Sequence, residues 1–508
     1  MKPRLLHPTE NVDVSRPLPD NADALVQDLG VTPLLEAMAD GDRFLFDVAR
    51  KVLLQTIDDP QVIVYRQHVL SDCMRHTEPV RELYNIAVES ITGEREIFRG
   101  LFSERPDALL YRSQEVLELF LRTLQHLRQV ADTHADSFRS EGFRTFFAML
   151  DEQLGDDYFA LIKDHMRQLR FRGGVLMSAG LAKGNRGCHY VLRRPRQSGP
   201  SWLERLPVPN RSGFSFEIAP RDEAGANALA ELRDRGVNLV GNALGQATDH
   251  ILGFFKALRT ELAFYLGCCN LHTRLEERRY PLCFPEPAAL DTSHLSATAL
   301  RDAPLTILSD EEVVGNDLAA DRKRLIMITG ANQGGKSTFL RGLGLAQLML
   351  QSGMFVVAES FGASVCSGIF THYKREEDTE LESGKLDEEL SRMSEIAERL
   401  TPNAVVLFNE SFAATNEREG SEIGRQVVHA LLDAGIRVWF VNHLFDLAES
   451  LHREQREDAL FLRAERAEDR SRTFRLKEGG PLPTSFGEDL YRRIFAETEP
   501  SPSQRSPG

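Results

Sequence analysis

A short apolar stretch running into a glycine-rich octet constrains this chain more than any other feature. It reads "RLIMITGANQGGKSTFL", in which Gly330, Gly335, Lys336 and Ser337 satisfy the spacing G-x-x-x-x-G-K-S. Leu325–Ile328 has the composition of a buried strand, and the residues from Lys336 to about Leu350 that of an amphipathic helix. A strand that becomes a helix through glycines gathers backbone N–H groups around one point, at the positive end of the helix. That arrangement holds phosphate. Lys336 then neutralises the terminal phosphates, and the Ser337 hydroxyl ligates magnesium.

A second apolar run, Val405–Phe408, ends in Asn409-Glu410 within "AVVLFNESFAATNEREG". In hydrolases with such a loop, the first of these positions usually holds the metal through a water and the second polarises the attacking water. Here the first is an amide, which accepts a hydrogen bond from a metal-bound water but carries no charge. The exchange weakens divalent-ion binding and leaves Ser337 and Glu410 in place. Slow hydrolysis is therefore expected. The segment "GIRVWFVNHLFDL" sets His443 at the end of a further apolar strand. A histidine there either senses the terminal phosphate or simply caps the strand end; with the other two motifs upstream, the first reading is preferred.

At 508 residues the chain exceeds one ordinary core, which points to two to four domains, and its hydrophobic fraction of 42% is enough to fill them. No run reaches the roughly 18 apolar residues of a membrane span, and the N-terminus lacks an apolar signal stretch. A cytoplasmic protein without a membrane role is expected. The six cysteines are scattered with no Cys-x-x-Cys pair, as for free thiols in a reducing compartment. The net charge of −15 argues against a surface coated by nucleic acid but leaves room for a local basic patch.

The texture divides the chain. Residues 1–22 read as a flexible arm. Residues 23–170 are helical, with Phe44, Val48 and Val52 and then Leu117, Leu121 and Leu124 at three- and four-residue spacing. Pro60 marks a helix start, and Arg144–Leu169 reads as one helix. Residues 171–218 carry glycines, prolines and the β-prone runs CHYVL and FSFEI, which predict a small strand-rich module. Helical texture returns over residues 219–270 and on to about Glu277; a helix of that length would span roughly 80 Å. A helix out, a β tip and a helix back would make an arm with a head. Between Lys163 and Arg211 there are eleven Lys or Arg against Asp164 and Glu204, a net of +9, with Arg193, Arg194 and Arg196 the densest part. Such a patch suits phosphate-backbone binding better than a merely solvated face. Residues 271–495 alternate α and β, and 496–508 form a Pro- and Ser-rich tail expected to be disordered.

These motifs resemble the MutS family, the ABC-type ATPases of DNA mismatch repair and related DNA processing. The family loop TGPNMGGKST corresponds to TGANQGGKST, which keeps Thr329, Gly330, Asn332 and Gly334 through Thr338. The flanking segments "FLRGLGLAQLMLQSGMFVVAE" and "FYLGCCNLHTRLEERRYPLCFPE" match as well. The likeness is specific over about residues 262–492 and weaker over 23–261. It implies a helical core with levers, a clamp at the basic tip, and an α/β P-loop ABC-type ATPase domain. Gly330, Asn332, Gly334, Gly335, Lys336, Ser337 and Thr338 would hold ATP, Ser337 and Asn409 would hold Mg2+, and Glu410 and His443 would act with Lys336 in hydrolysis. Ser383, in "ESGKLDEEL", stands where the family has its signature loop, and would reach the nucleotide of a second subunit.

The departures are also informative. The family's mismatch-reading module with its Phe-x-Glu wedge has no counterpart; Phe102-Ser103-Glu104 has the spacing but sits in a helical region, a coincidence. A member of the family that also lacks its C-terminal dimerisation helices and nuclease-like tail is expected. The expected function is an ATP-dependent DNA-binding homodimer in which binding and slow hydrolysis of ATP move a clamp on DNA. The alternative is a nucleotide-gated dimeric scaffold with little or no hydrolysis, for which Asn409 is the best argument. A transporter ATPase subunit is disfavoured, because the sequence has no LSGGQ signature and the helical half would have no role.

Overall fold

Buried strands with no polar alternation belong in a parallel sheet covered on both faces, and such a sheet lies at the centre of the C-terminal half. The structure, a computed structural model, describes residues 1–10, 16–99, 106–171, 174–185, 187–193, 217–374, 384–466 and 472–482. Two compact units divide the chain. One gathers Met1–Pro3, Glu78–Arg139 and Phe143–Glu261; the other gathers Arg4–Thr77, Ser140–Gly142 and Leu262–Gly508.

The first unit is mainly helical. Helices Thr77–Arg99 and Pro106–His134 precede Glu141–Gln153 and Asp156–Leu169. The expected single helix over Arg144–Leu169 is thus two. Gly155, with φ −67° and ψ 163°, breaks the run and serves as the next N-cap, ahead of Asp156 and Asp157, whose charges favour the positive end of a new helix. Phe120 and Phe255 pack with ring centroids 5.6 Å apart, and Phe138 lies 4.4 Å from Phe143. Helix Glu223–Glu277, of which residues up to Glu261 belong to this unit, continues without interruption through its glycines. Of the strand-rich stretch, Met177–Leu181 and Gly187–Leu192 form an antiparallel pair. Most of the run FSFEI, Phe102-Ser103-Glu104 and the tail lie outside the described residues, and Glu217 and Ile218 are irregular.

The second unit is built on a six-stranded sheet. Its order is Arg472–Glu478, Ala459–Arg466, Leu325–Thr329, Arg437–Val441, Val405–Asn409 and Ile369–Tyr373. All neighbours are parallel except the first pair, an antiparallel hairpin. Val441 is in register with both Ile328 and Asn409, so three adjacent strands end at one edge. Ligands of open α/β sheets collect at that carboxyl edge. Helix Lys336–Gln351 starts there and is almost wholly buried. A four-stranded sheet, in the order Glu286–Ala288, Ser360–Ser364, Leu295–Leu300 and Asn316–Ala319, belongs to the same unit. So do helices Ala22–Asp28, Thr32–Ala39, Arg43–Leu54 and Pro60–Arg75. The last starts at Pro60, where Asp59 accepts a hydrogen bond from the Gln61 N–H.

The reading of residues 1–22 as a flexible arm fails over Arg4–Leu6. Leu5 and Leu6 are fully buried. Tyr265 donates its hydroxyl to the Leu5 carbonyl at 2.6 Å, Tyr65 to that of Arg4 at 2.7 Å, and Arg66 Nε to that of Leu6 at 2.7 Å. Two leucines are too few to show a periodicity, so their burial left no mark in the sequence. Changing either to Ala should destabilise this unit by about 2–5 kcal/mol, measurable as a lower urea midpoint. A loss below about 0.5 kcal/mol, the size of an ordinary surface substitution, would contradict this packing.

Candidate phosphate-binding site

The loop between strand Leu325–Thr329 and helix Lys336–Gln351 is shaped by what passes beside it. Gly330 has φ 116°, and a Cβ there would lie 2.9 Å from the Ala464 backbone nitrogen on the neighbouring strand. Gly335 has φ 88° and caps the helix, with the Phe474 carbonyl 3.4 Å from where its Cβ would be. Both positions therefore favour glycine for conformation, and Gly330 for space as well. Lys336 is buried, and its ammonium donates to the carbonyls of Gly330 at 2.9 Å and Ala331 at 2.8 Å. Burial pulls its pKa down to about 8, partly offset by the negative charge of Glu410.

Behind the loop, the Ser337 hydroxyl donates to the Asn409 amide oxygen at 2.8 Å. This contact joins the first turn of the helix to the end of strand Val405–Asn409. The next residue, Glu410, adopts φ 55°, and its N–H bonds the Val441 carbonyl at 2.9 Å. His443 Nε2 donates to the Glu410 carboxylate at 2.6 Å. That bond is the main reason the Glu410 carboxyl is held below its ordinary range, with the charges of Lys336 and Lys374 adding to it. Glu410 is therefore an anion at neutral pH, about one-third exposed, and its partner His443 fixes its direction.

One feature of the site went unseen in the sequence. A cavity of about 300 Å³ opens beside the loop, lined by Val313, Val314, Asn316, Thr338, Phe339 and Phe474 among others. Its walls come from three separate parts of the chain. The Asn316 side chain ties two of them together, donating to the Phe474 carbonyl at 3.2 Å and accepting from the Leu476 N–H at 2.7 Å. The only available hint was that Asn316 follows two valines and a glycine shortly before the loop strand.

The structure thus brings together Gly330, Gly334, Gly335, Lys336, Ser337, Asn409, Glu410 and His443. Asn332 lies exposed on the loop, and Thr338 faces the cavity. Arg193 belongs to the other unit, where its Nε donates to Ser178 Oγ at 2.8 Å. Arg194, Arg196 and Ser383 lie outside the described residues. Among the described residues no cluster of three or more His, Cys, Asp or Glu is placed to hold a metal. A hard cation here would rest on Ser337 and Asn409, oxygen donors of the kind it prefers.

Family models match in two places: the MutS2 N-terminal domain over residues 58–278 and MutS domain V over residues 326–493. The chain belongs to the MutS family. The DNA mismatch repair protein MutS of Porphyromonas gingivalis is 25% identical over 90% of this chain and 57% of its own length. The endonuclease MutS2 of Thermus thermophilus is 33% identical over 27% of this chain, and the mouse MutS protein homolog 4 is 29% identical over 31%. This MutS-family chain covers 57% of the length of the first relative, 18% of the second and 16% of the third. Among the described residues no helix is long and apolar enough to cross a membrane.

Proposed function

We propose that this MutS-family chain is an ATP-dependent DNA-binding protein of the cytoplasm, working as a homodimer, whose ABC-type P-loop site binds ATP with Mg2+ and hydrolyses it slowly. The observation that carries this reading is the joining of Ser337 to Asn409 and of Glu410 to His443 behind one phosphate loop. Lys336 exchanges its two loop carbonyls for terminal phosphate oxygens. Ser337 and Asn409 hold the metal, which when bound supplies positive charge against the phosphates. Glu410, an anion aimed by His443, orients the attacking water and takes up its proton. The apolar cavity lined by Phe339 and Phe474 has room for the purine base. Ser383 of a second copy completes the site, as the family likeness implies.

The metal position is where this chain should differ from a carboxylate-bearing relative. Asn409→Asp adds a full charge beside the cation, so half-saturation is expected at several-fold lower magnesium while ATP affinity in saturating magnesium stays level. Magnesium titration of turnover measures this directly. An unchanged midpoint would remove Asn409 from the metal site.

Contact with DNA is assigned to the basic stretch around Arg193, Arg194 and Arg196, through phosphates rather than bases. Changing all three to Ala should weaken binding similarly for every sequence and reduce the salt slope by about 2 to 3. A wild-type slope in the triple variant would place the DNA elsewhere. The second reading, a nucleotide-gated scaffold, is favoured by the neutral side chain at Asn409; it predicts ATP-dependent dimerisation without turnover.

A further inference from the structure

The turn that follows Glu410 is gripped by a buried network that neither the phosphate loop nor the Glu410–His443 pair accounts for. Glu410 and Phe412 both have positive φ, 55° and 63°, in non-glycine residues, so this turn needs support from outside itself. Three buried side chains provide it. His372, on strand Ile369–Tyr373, sets Nδ1 at 2.8 Å from Ser411 Oγ and Nε2 at 3.0 Å from the Glu389 carbonyl. Ser411 Oγ also lies 2.5 Å from the His372 carbonyl. Glu389, on helix Lys385–Ala397, accepts from the Phe412 N–H at 3.3 Å. The His372 ring stacks on Phe412 with centroids 5.4 Å apart and 19° between planes. His372, Ser411 and Phe412 are fully buried and Glu389 is 6% exposed.

We infer that Glu389 and His372 are positioning residues for hydrolysis: they tie helix Lys385–Ala397 to residues 411–412 and so set where the Glu410 carboxylate points. This rests on the proposed reading of Glu410 as the group that orients water. The hydrogen bonds described for them run to each other, Ser411 and Phe412, so their effect should fall on turnover and spare nucleotide binding. A polar network buried this deeply is otherwise costly, since each unpaired member would lose its solvation without return. Burial raises the Glu389 carboxyl pKa, and a glutamine keeps the side chain's length and an acceptor oxygen.

The test uses the full chain with Glu389→Ala, Glu389→Gln and His372→Ala. Glu389→Ala should lower kcat by about 10- to 100-fold with the affinity for a fluorescent ATP analogue within about twofold of wild type, the signature of a displaced catalytic group. Glu389→Gln keeps an oxygen for the Phe412 N–H and should restore kcat to within about threefold of wild type. Amide hydrogen exchange supplies a readout independent of turnover: in Glu389→Ala and His372→Ala, residues 411–412 should exchange faster while helix Lys336–Gln351 is unchanged. Loss of protection throughout the unit, equal losses of kcat in the Ala and Gln variants, or unchanged exchange at 411–412 would each overturn the inference. A wild type that turns over no faster than Glu410→Gln, with exchange at 411–412 still responding to Glu389→Ala, would instead overturn the hydrolysis reading, and the positioning role with it.

Discussion

Lys336→Ala is expected to abolish tight nucleotide binding, with an affinity loss of about 100-fold or more. The ammonium already makes two hydrogen bonds across the loop, to Gly330 and Ala331, and is buried at the helix start. Hydrogen bonds between charged groups are worth about 1.5–3 kcal/mol each, so losing two to phosphate yields a change of that size or larger. Removing the lysine leaves the carbonyls of Gly330 and Ala331 at the rim of an accessible loop, and the fold should survive. Titration with a fluorescent ATP analogue, alongside a thermal melt, separates the two outcomes. Full affinity in a folded variant would place the phosphates elsewhere.

Glu410→Gln should separate binding from chemistry. The amide keeps the size of the side chain but cannot take a proton from water, and loss of a general base costs about 10²- to 10⁴-fold in rate. The His443 Nε2–H still finds an amide oxygen, so the local geometry holds, and the phosphate contacts of Lys336 and Ser337 are untouched. The variant should therefore bind ATP as wild type does and retain it unhydrolysed. Chromatography of the nucleotide recovered from the protein after long incubation reads the result. Recovery of ADP at the wild-type rate would remove Glu410 from the chemistry.

How much of this was legible depended on whether each feature is local in sequence. The strand and helix around Gly330–Ser337 were readable because a continuous apolar run, paired glycines and a helical face all fall within one segment. Asn409, Glu410 and His443 were found because each ends an apolar strand, and in a parallel sheet those ends share one edge. The reading of Arg144–Leu169 as one helix failed because hydrophobic spacing on either side of Gly155 is nearly in phase, so only the cap distinguishes two helices from one. The cavity beside the loop is built from residues near 313, 339 and 474, and no local pattern reports such a meeting. The grip of His372 and Glu389 on Ser411 and Phe412 was equally hidden. A buried histidine on a strand and a glutamate on an amphipathic helix each have an ordinary explanation until their partner is known. Hydrophobic periodicity showed that helices between residues 22 and 75 bury one face, but not that they do so in the same unit as the phosphate loop.

A neutral Asn409 is expected to slow this site without silencing it. The most direct measurement is steady-state ATP turnover at saturating magnesium, with and without duplex and branched DNA, in wild type beside Glu410→Gln. The expected result is slow wild-type turnover that DNA alters, at least about 100-fold above the variant. Turnover equal to that of Glu410→Gln under every condition would show that this chain binds nucleotide without hydrolysing it.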